Sequence, residues 1–75
     1  MIKVYSTPTC PWCLKAKEFL KEHKIKFENI DVSMDLKAAH EMVKKSGQMG
    51  VPVIFVDNEM VIGFNKAKLM SLLGL

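Results

Sequence analysis

Apolar residues recur along the chain with two periods, which predicts strands alternating with helices. Residues 2–6 alternate apolar and polar side chains and are β-branched or aromatic, which predicts a first strand. Pro11 suits the first position of a helix, where its missing N–H costs nothing. Beyond it, apolar residues recur on one helical face: Cys13, Ala16, Phe19 and Leu20. We expect this helix to end near residues 22–24.

The middle of the chain repeats this arrangement. Residues 27–32 predict a second strand, and Ser33 is the predicted N-cap of a second helix. The apolar stripe of that helix is formed by Leu36, Ala39, Met42 and Val43. Gly47 follows two lysines in the last turn, as is typical of a helix end.

The last third of the chain predicts a hairpin and a helix. Residues 53–56 and 60–62 read as strands joined by a tight turn at 57–59. Asn65 is the predicted cap of a final helix that Gly74 ends. The order β-α-β-α-β-β-α predicts an α/β fold, with a four-stranded mixed sheet and three helices on its faces.

Length and composition fit one small globular domain over residues 1–75. The chain is 49% hydrophobic and 25% charged, and it has neither an apolar stretch long enough to cross a bilayer nor a secretory signal pattern. Two cysteines are too few for the disulfide framework of a small secreted protein. We therefore expect a cytoplasmic protein, a monomer with no membrane partner.

The net charge of +3 does not indicate nucleic-acid binding. All eleven basic residues are lysines, so no guanidinium fork is available for phosphate or guanine. The excess lies in residues 1–26, which hold six lysines against Glu18 and Glu22, and on the first helix the lysines are interspersed with these glutamates. That pattern is typical of a solvated helix face.

The segment Cys10-Pro11-Trp12-Cys13 carries the candidate chemistry. Cys10 falls at the start of the first helix, where unpaired N–H groups and the positive end of the helix dipole favour a thiolate. Cys13 lies one turn later on the apolar stripe, so it should be shielded and less acidic. This asymmetry suits an exchange in which Cys10 attacks a disulfide and Cys13 resolves the mixed disulfide.

Three other interpretations of the cysteine pair are weaker. A structural disulfide would close a loop of only four residues and remove little chain entropy. Zinc prefers four ligands, and beyond the two cysteines only His23 and His40 remain, on different predicted helices. Chance spacing does not account for a helix that opens with proline directly after a strand.

With these residues in view, the chain resembles a glutaredoxin of the thioredoxin superfamily over essentially its whole length. Residues 5–13 resemble the family's strand and active-site loop, and residues 50–55 resemble its cis-proline segment. Gly63 and Phe64 fall at its C-terminal glycine motif. The resemblance implies a minimal thioredoxin fold in which Pro52 faces the Cys10 pair. It also implies that the Val51 backbone pairs with a bound peptide or with glutathione.

Two positions depart from the glutathione-using pattern of that family. Thr7 replaces a lysine that helps to bind a glutathione carboxylate, and Phe64 replaces a second glycine. Both changes should weaken glutathione binding, although Lys3, Lys15 or Lys17 could partly replace the missing cation. Small glutaredoxin-like redoxins with a Gly-Phe pattern take electrons from thioredoxin reductase.

We therefore predict a thiol–disulfide oxidoreductase with Cys10 and Cys13 as catalytic residues. The predicted substrate-binding residues are Pro11, Trp12, Val51, Pro52, Gly63 and Phe64. Its partners would be a protein disulfide and a reductant, either glutathione as co-substrate or a thioredoxin-reductase-type enzyme, with no bound cofactor or metal. The alternative is a metal or iron–sulfur cluster carrier that uses cysteine ligands from two chains.

Overall fold

A computed structural model describes residues 2–75 and confirms the predicted element order. The seven elements are β1 (Ile2–Ser6), α1 (Pro11–Glu22), β2 (Glu28–Asp31), α2 (Leu36–Ser46), β3 (Val53–Val56), β4 (Glu59–Ile62) and α3 (Lys66–Leu73). The end of α2 is also as predicted, because Gly47 adopts the left-handed backbone conformation that glycine accepts without strain.

The four strands form one mixed sheet, as expected, and their order in that sheet is β2-β1-β3-β4. β1 runs parallel to β2, with Ser6 opposite Asp31, and antiparallel to β3, with Tyr5 opposite Val53. The carboxyl ends of β1 and β4 and the amino end of β3 therefore lie at one end of the sheet. We call this the cysteine end, because Cys10 follows β1 there.

The core divides between the two faces of the sheet. Val4 and its partner Ile54 face α1 and α3 in a cluster that also contains Ala16, Phe19, Leu20, Val56, Val61 and Leu69. Tyr5 and Val53 face the other way and pack against Met42 of α2. Strand alternation thus sends neighbouring residues to opposite layers, as period 2 requires.

The start of α2 differs from the sequence prediction. Its N-cap is Asp35, whose carboxylate accepts a hydrogen bond from the Ala38 N–H at 3.0 Å. The prediction that Ser33 caps this helix is therefore wrong. Ser33 instead donates its N–H and its hydroxyl to Asp31 Oδ1, at 2.9 and 2.6 Å. Because this local turn occupies Ser33, the helix begins later, and Leu36 is 75% exposed instead of lying on the buried stripe.

The two candidate caps can be distinguished by mutation. Asp35→Ala should lower the free energy of unfolding by about 1 kcal/mol, because it leaves N–H groups of the first turn of α2 without an acceptor. Ser33→Ala removes only an exposed hydrogen bond to Asp31 and should change stability by less than about 0.5 kcal/mol. Urea unfolding of both variants measures the difference. A larger loss for Ser33→Ala would contradict the assignment of Asp35.

Candidate functional site

Cys10 is the N-cap of α1, and its sulfur takes the place of the usual capping oxygen. Its extended backbone lets Sγ accept a hydrogen bond from the Cys13 N–H at 3.2 Å. Its carbonyl accepts the Leu14 N–H at 3.2 Å, and Pro11 occupies the first helical turn as predicted. No acidic side chain lies in that turn, so nothing there neutralises the positive helix end beside Sγ.

Cys13 is fully buried, in agreement with its predicted place on the apolar stripe. Burial raises the pKa of its thiol to about 11, and a hydrogen bond to Cys10 and the charge of Cys10 act in the same direction. A backbone hydrogen bond with Thr7 acts against these effects without outweighing them. Cys13 therefore holds its proton at neutral pH, while Cys10 is partly exposed.

The segment before β3 brings a second set of predicted residues to the cysteines. The Val51–Pro52 peptide bond is cis. The Cys10 thiol donates a hydrogen bond to the Val51 carbonyl oxygen, with 3.8 Å between sulfur and oxygen. The Gly63 N–H donates to the Pro52 carbonyl at 2.8 Å. This contact uses a backbone φ of +74° at Gly63, which glycine adopts without a steric penalty.

A groove of about 250 Å³ runs alongside the cysteine pair. It is lined by Trp12, Val51, Pro52, Gly63 and Phe64. Trp12 is 57% exposed and forms one rim, whereas Pro52 is buried. The structure thus brings every predicted substrate-binding residue to the cysteine end of the sheet, with Pro11 directly after Cys10.

Phe64 has two structural roles. Its ring lies edge-on to Phe19 with 5.8 Å between centroids, so it packs on the main core. The same residue lines the groove beside Trp12. A core side chain therefore occupies the rim position at which the glutathione-using pattern has glycine.

Of the three candidate replacement cations, Lys15 contacts a residue that lines the groove, and the charge of Lys17 acts to lower the pKa of Cys13. Lys15 Nζ lies 4.7 Å from the centroid of the Trp12 ring, close enough for a cation–π contact. Lys3 pairs with Phe55 toward the far end of β1, so the suggestion that it serves the cysteine site is wrong.

Sequence reasoning missed the hydrogen bonds of Ser46 and Gln48, which organise the loop before Val51. No apolar period covers that loop. The one signal was the pair of glycines, Gly47 and Gly50, around a polar amide.

Within residues 2–75, no three His, Cys, Asp or Glu side chains cluster as a metal site.

A mixed sheet with a helix-capping cysteine pair beside a cis-proline defines a thioredoxin-fold redoxin. The sequence model of the glutaredoxin family matches residues 2–61, and this chain belongs to that family. No helix within residues 2–75 is both long and apolar enough to cross a bilayer.

Three known proteins illustrate the similarity. The chain is 52% identical over 73 residues to an uncharacterized glutaredoxin-like 8.6 kDa protein in a rubredoxin operon of Clostridium pasteurianum, covering 97% of both chains. It is 32% identical to glutaredoxin 3 of Escherichia coli K12, over 83% of this chain and 75% of that one. The crystal structure of the thioredoxin-like protein BC3987 superposes with a TM-score of 0.90 at 36% identity, covering 96% of this chain and 99% of that one.

The raised pKa of Cys13 predicts a specific loss of stability in alkali. The folded chain holds this proton more tightly than the unfolded chain, so the contribution is complete below the unfolded pKa of about 8.5 and is lost toward pH 11. Between about pH 8 and pH 10.5, the wild type should lose more unfolding free energy than Cys13→Ala. Urea unfolding at both pH values tests this. Equal losses would contradict the assigned shift, because the other titrating groups are common to both proteins.

Proposed function

We propose that this protein is a dithiol electron carrier that reduces protein disulfides, with Cys10 as nucleophile and Cys13 as resolving thiol. The observation that carries the proposal is the asymmetry of the pair. Cys10 Sγ is partly exposed and accepts the Cys13 N–H at the start of α1, whereas the Cys13 thiol is buried and keeps its proton. An accessible attacking sulfur with a protected second thiol one turn away suits two-step exchange.

In the first step, the Cys10 thiolate attacks one sulfur of the substrate disulfide. A Cys10–substrate mixed disulfide forms, and the other substrate sulfur leaves as a thiolate that takes up a proton. In the second step, Cys13 gives up its proton and attacks Cys10 Sγ. The Cys10–Cys13 disulfide forms and the second substrate sulfur leaves, so that two electrons and two protons have passed to the substrate.

The groove supports this assignment by offering a place for the chain on either side of the substrate disulfide. Val51 lies against the nucleophile and precedes β3, so its backbone is available to a substrate segment in extended conformation. Trp12 and Phe64 supply apolar walls on the other side. A peptide held between them would present its disulfide to Cys10.

Two reductants could regenerate the dithiol. Two molecules of glutathione would be oxidised to glutathione disulfide, or a thioredoxin-reductase-type enzyme would supply both electrons directly. Thr7 and the Phe64 ring count against tight glutathione binding, because one removes a cation and the other fills space at the groove. The proposal of protein-disulfide reduction holds with either donor.

Replacing each cysteine tests the division of labour. Cys10→Ser should abolish disulfide reduction, because no nucleophile remains at the helix start. Cys13→Ser should still attack and should accumulate a covalent mixed disulfide with the substrate, detectable by intact-protein mass spectrometry. Full activity in Cys10→Ser, or trapping through Cys13 in that variant, would overturn the proposed roles.

The choice of reductant is tested by an NADPH-coupled assay in which glutathione and glutathione reductase are the only electron supply. We expect slow turnover of a small mixed disulfide, and Thr7→Lys should raise kcat/KM about threefold to tenfold by restoring a charge-assisted contact to a carboxylate. Ser71→Lys, which adds the same charge on the exposed end of α3, is the matched control.

Brisk turnover by the wild type would show that Thr7 and Phe64 leave the glutathione site intact. No turnover by either the wild type or Thr7→Lys, with activity restored by a thioredoxin-reductase-type enzyme, would assign the second donor. An equal gain in Ser71→Lys would show a general charge effect and would contradict a role for position 7.

A further inference from the structure

The loop between α2 and β3 is held by one side-chain amide. Gln48 Oε1 accepts the Gly50 N–H at 2.6 Å, and Gln48 Nε2 donates to the Gly50 carbonyl at 3.0 Å. A primary amide is the side-chain group that carries the needed acceptor and donor together, whereas an ionised carboxylate can only accept. Gln48 thus satisfies both backbone groups of the residue that precedes Val51.

Ser46 connects this clamp to the helix. Its Oγ lies 2.6 Å from the Met42 carbonyl oxygen and 2.9 Å from the Gln48 carbonyl oxygen, and it accepts the Gln48 N–H at 3.4 Å. For residues 48–50, the backbone hydrogen bonds that the structure shows all go to the side chains of Ser46 and Gln48. The conformation of the loop therefore depends on these two side chains.

The same contact leaves no room for a side chain at Gly50. A Cβ added there would lie 2.6 Å from Gln48 Oε1, and the next nearest atom, Gln48 Cδ, is 3.7 Å away. The first separation is shorter than real Cβ contacts allow, so Gly50→Ala would displace the Gln48 amide. Because that amide is the end of a flexible side chain, the loop can accept the change by losing the clamp.

We infer that Gln48 is a positioning residue that sets the Val51 backbone for substrate binding, with Ser46 anchoring it to α2. This inference rests on the proposed function, because it concerns the segment that a disulfide substrate would contact. Val51 follows directly after the clamped Gly50, and its carbonyl oxygen lies 3.8 Å from Cys10 Sγ. Releasing the clamp frees the Val51 backbone to turn away from the orientation that a substrate segment needs.

The expected signature is a loss of binding to peptide substrates without a general loss of reactivity. A protein disulfide uses the Val51 backbone, so its half-saturation concentration should rise about threefold to tenfold in Gln48→Ala, as for the loss of one or two hydrogen bonds. Bis(2-hydroxyethyl) disulfide has no peptide groups to pair with Val51, so its rate should change by less than about twofold. A merely destabilised fold would affect both substrates alike.

The experiment is single-turnover oxidation of the pre-reduced protein, followed by the fluorescence of Trp12, which is the chain's one tryptophan. The two disulfide probes are insulin and bis(2-hydroxyethyl) disulfide, each varied in concentration to separate half-saturation from the limiting rate. The variants are Gln48→Ala, Gly50→Ala and the double variant. Met49→Ala is the control, since Met49 lies in the same loop and is 80% exposed.

The inference is supported if both single variants raise the half-saturation concentration for insulin alone and the double variant raises it no further. Such non-additivity is expected when two changes remove the same contact. It is overturned if Gln48→Ala matches the wild type, if both probes are slowed equally, if the two effects multiply, or if Met49→Ala behaves like Gln48→Ala. Failure of the wild type to react with either disulfide would instead overturn the proposed function itself.

Discussion

The hydrogen bond from the Cys13 N–H to Cys10 Sγ joins the stability of α1 to the chemistry of the site. A helix start needs an acceptor for its free N–H groups, and here a sulfur provides it. Neutral sulfur is a weak acceptor, whereas charge-assisted hydrogen bonds are about twice as strong as neutral ones. A Cys10 thiolate would thus be a better cap than the thiol. Under the proposed function, forming a disulfide at Cys10 would exchange a charged acceptor for a neutral one, which would link oxidation to helix capping.

The sheet order determines which segments meet this sulfur. Because β1 and β3 are antiparallel neighbours, the loop that leaves β1 and the loop that enters β3 share the cysteine end. The carboxyl end of β4 joins them, and the bond from the Gly63 N–H to the Pro52 carbonyl ties the two sides of the groove. Phe64 then turns back onto Phe19 in the core. The groove wall and the hydrophobic core are therefore one packed unit, and substitutions at Phe64 would act on both.

The sequence predicted those features that depend on local pattern. The seven elements follow from apolar periods, and the place of the cysteines follows from a helix start after a strand. The cap of α2 could not be predicted in this way, because Ser33 and Asp35 are both good caps. In the structure Asp31 accepts the N–H and the hydroxyl of Ser33, and Asp35 caps the helix. The two roles of Phe64 depend on packing between α1 and the last loop. The Gln48 clamp depends on the path of a loop that carries no period.

In the proposed exchange, the pKa of Cys13 would connect its burial to the order of the two steps. Burial raises it most, but the hydrogen bond to Cys10 and the charge of Cys10 raise it further. Those two contributions belong to the reduced pair, since a Cys10 sulfur bound to substrate carries no charge and is a weaker acceptor for the Cys13 thiol proton. When the mixed disulfide forms, the pKa of Cys13 should fall toward the value that burial alone sets. In the proposed exchange, Cys13 would thereby keep its proton while Cys10 is free and would become easier to deprotonate once the mixed disulfide has formed.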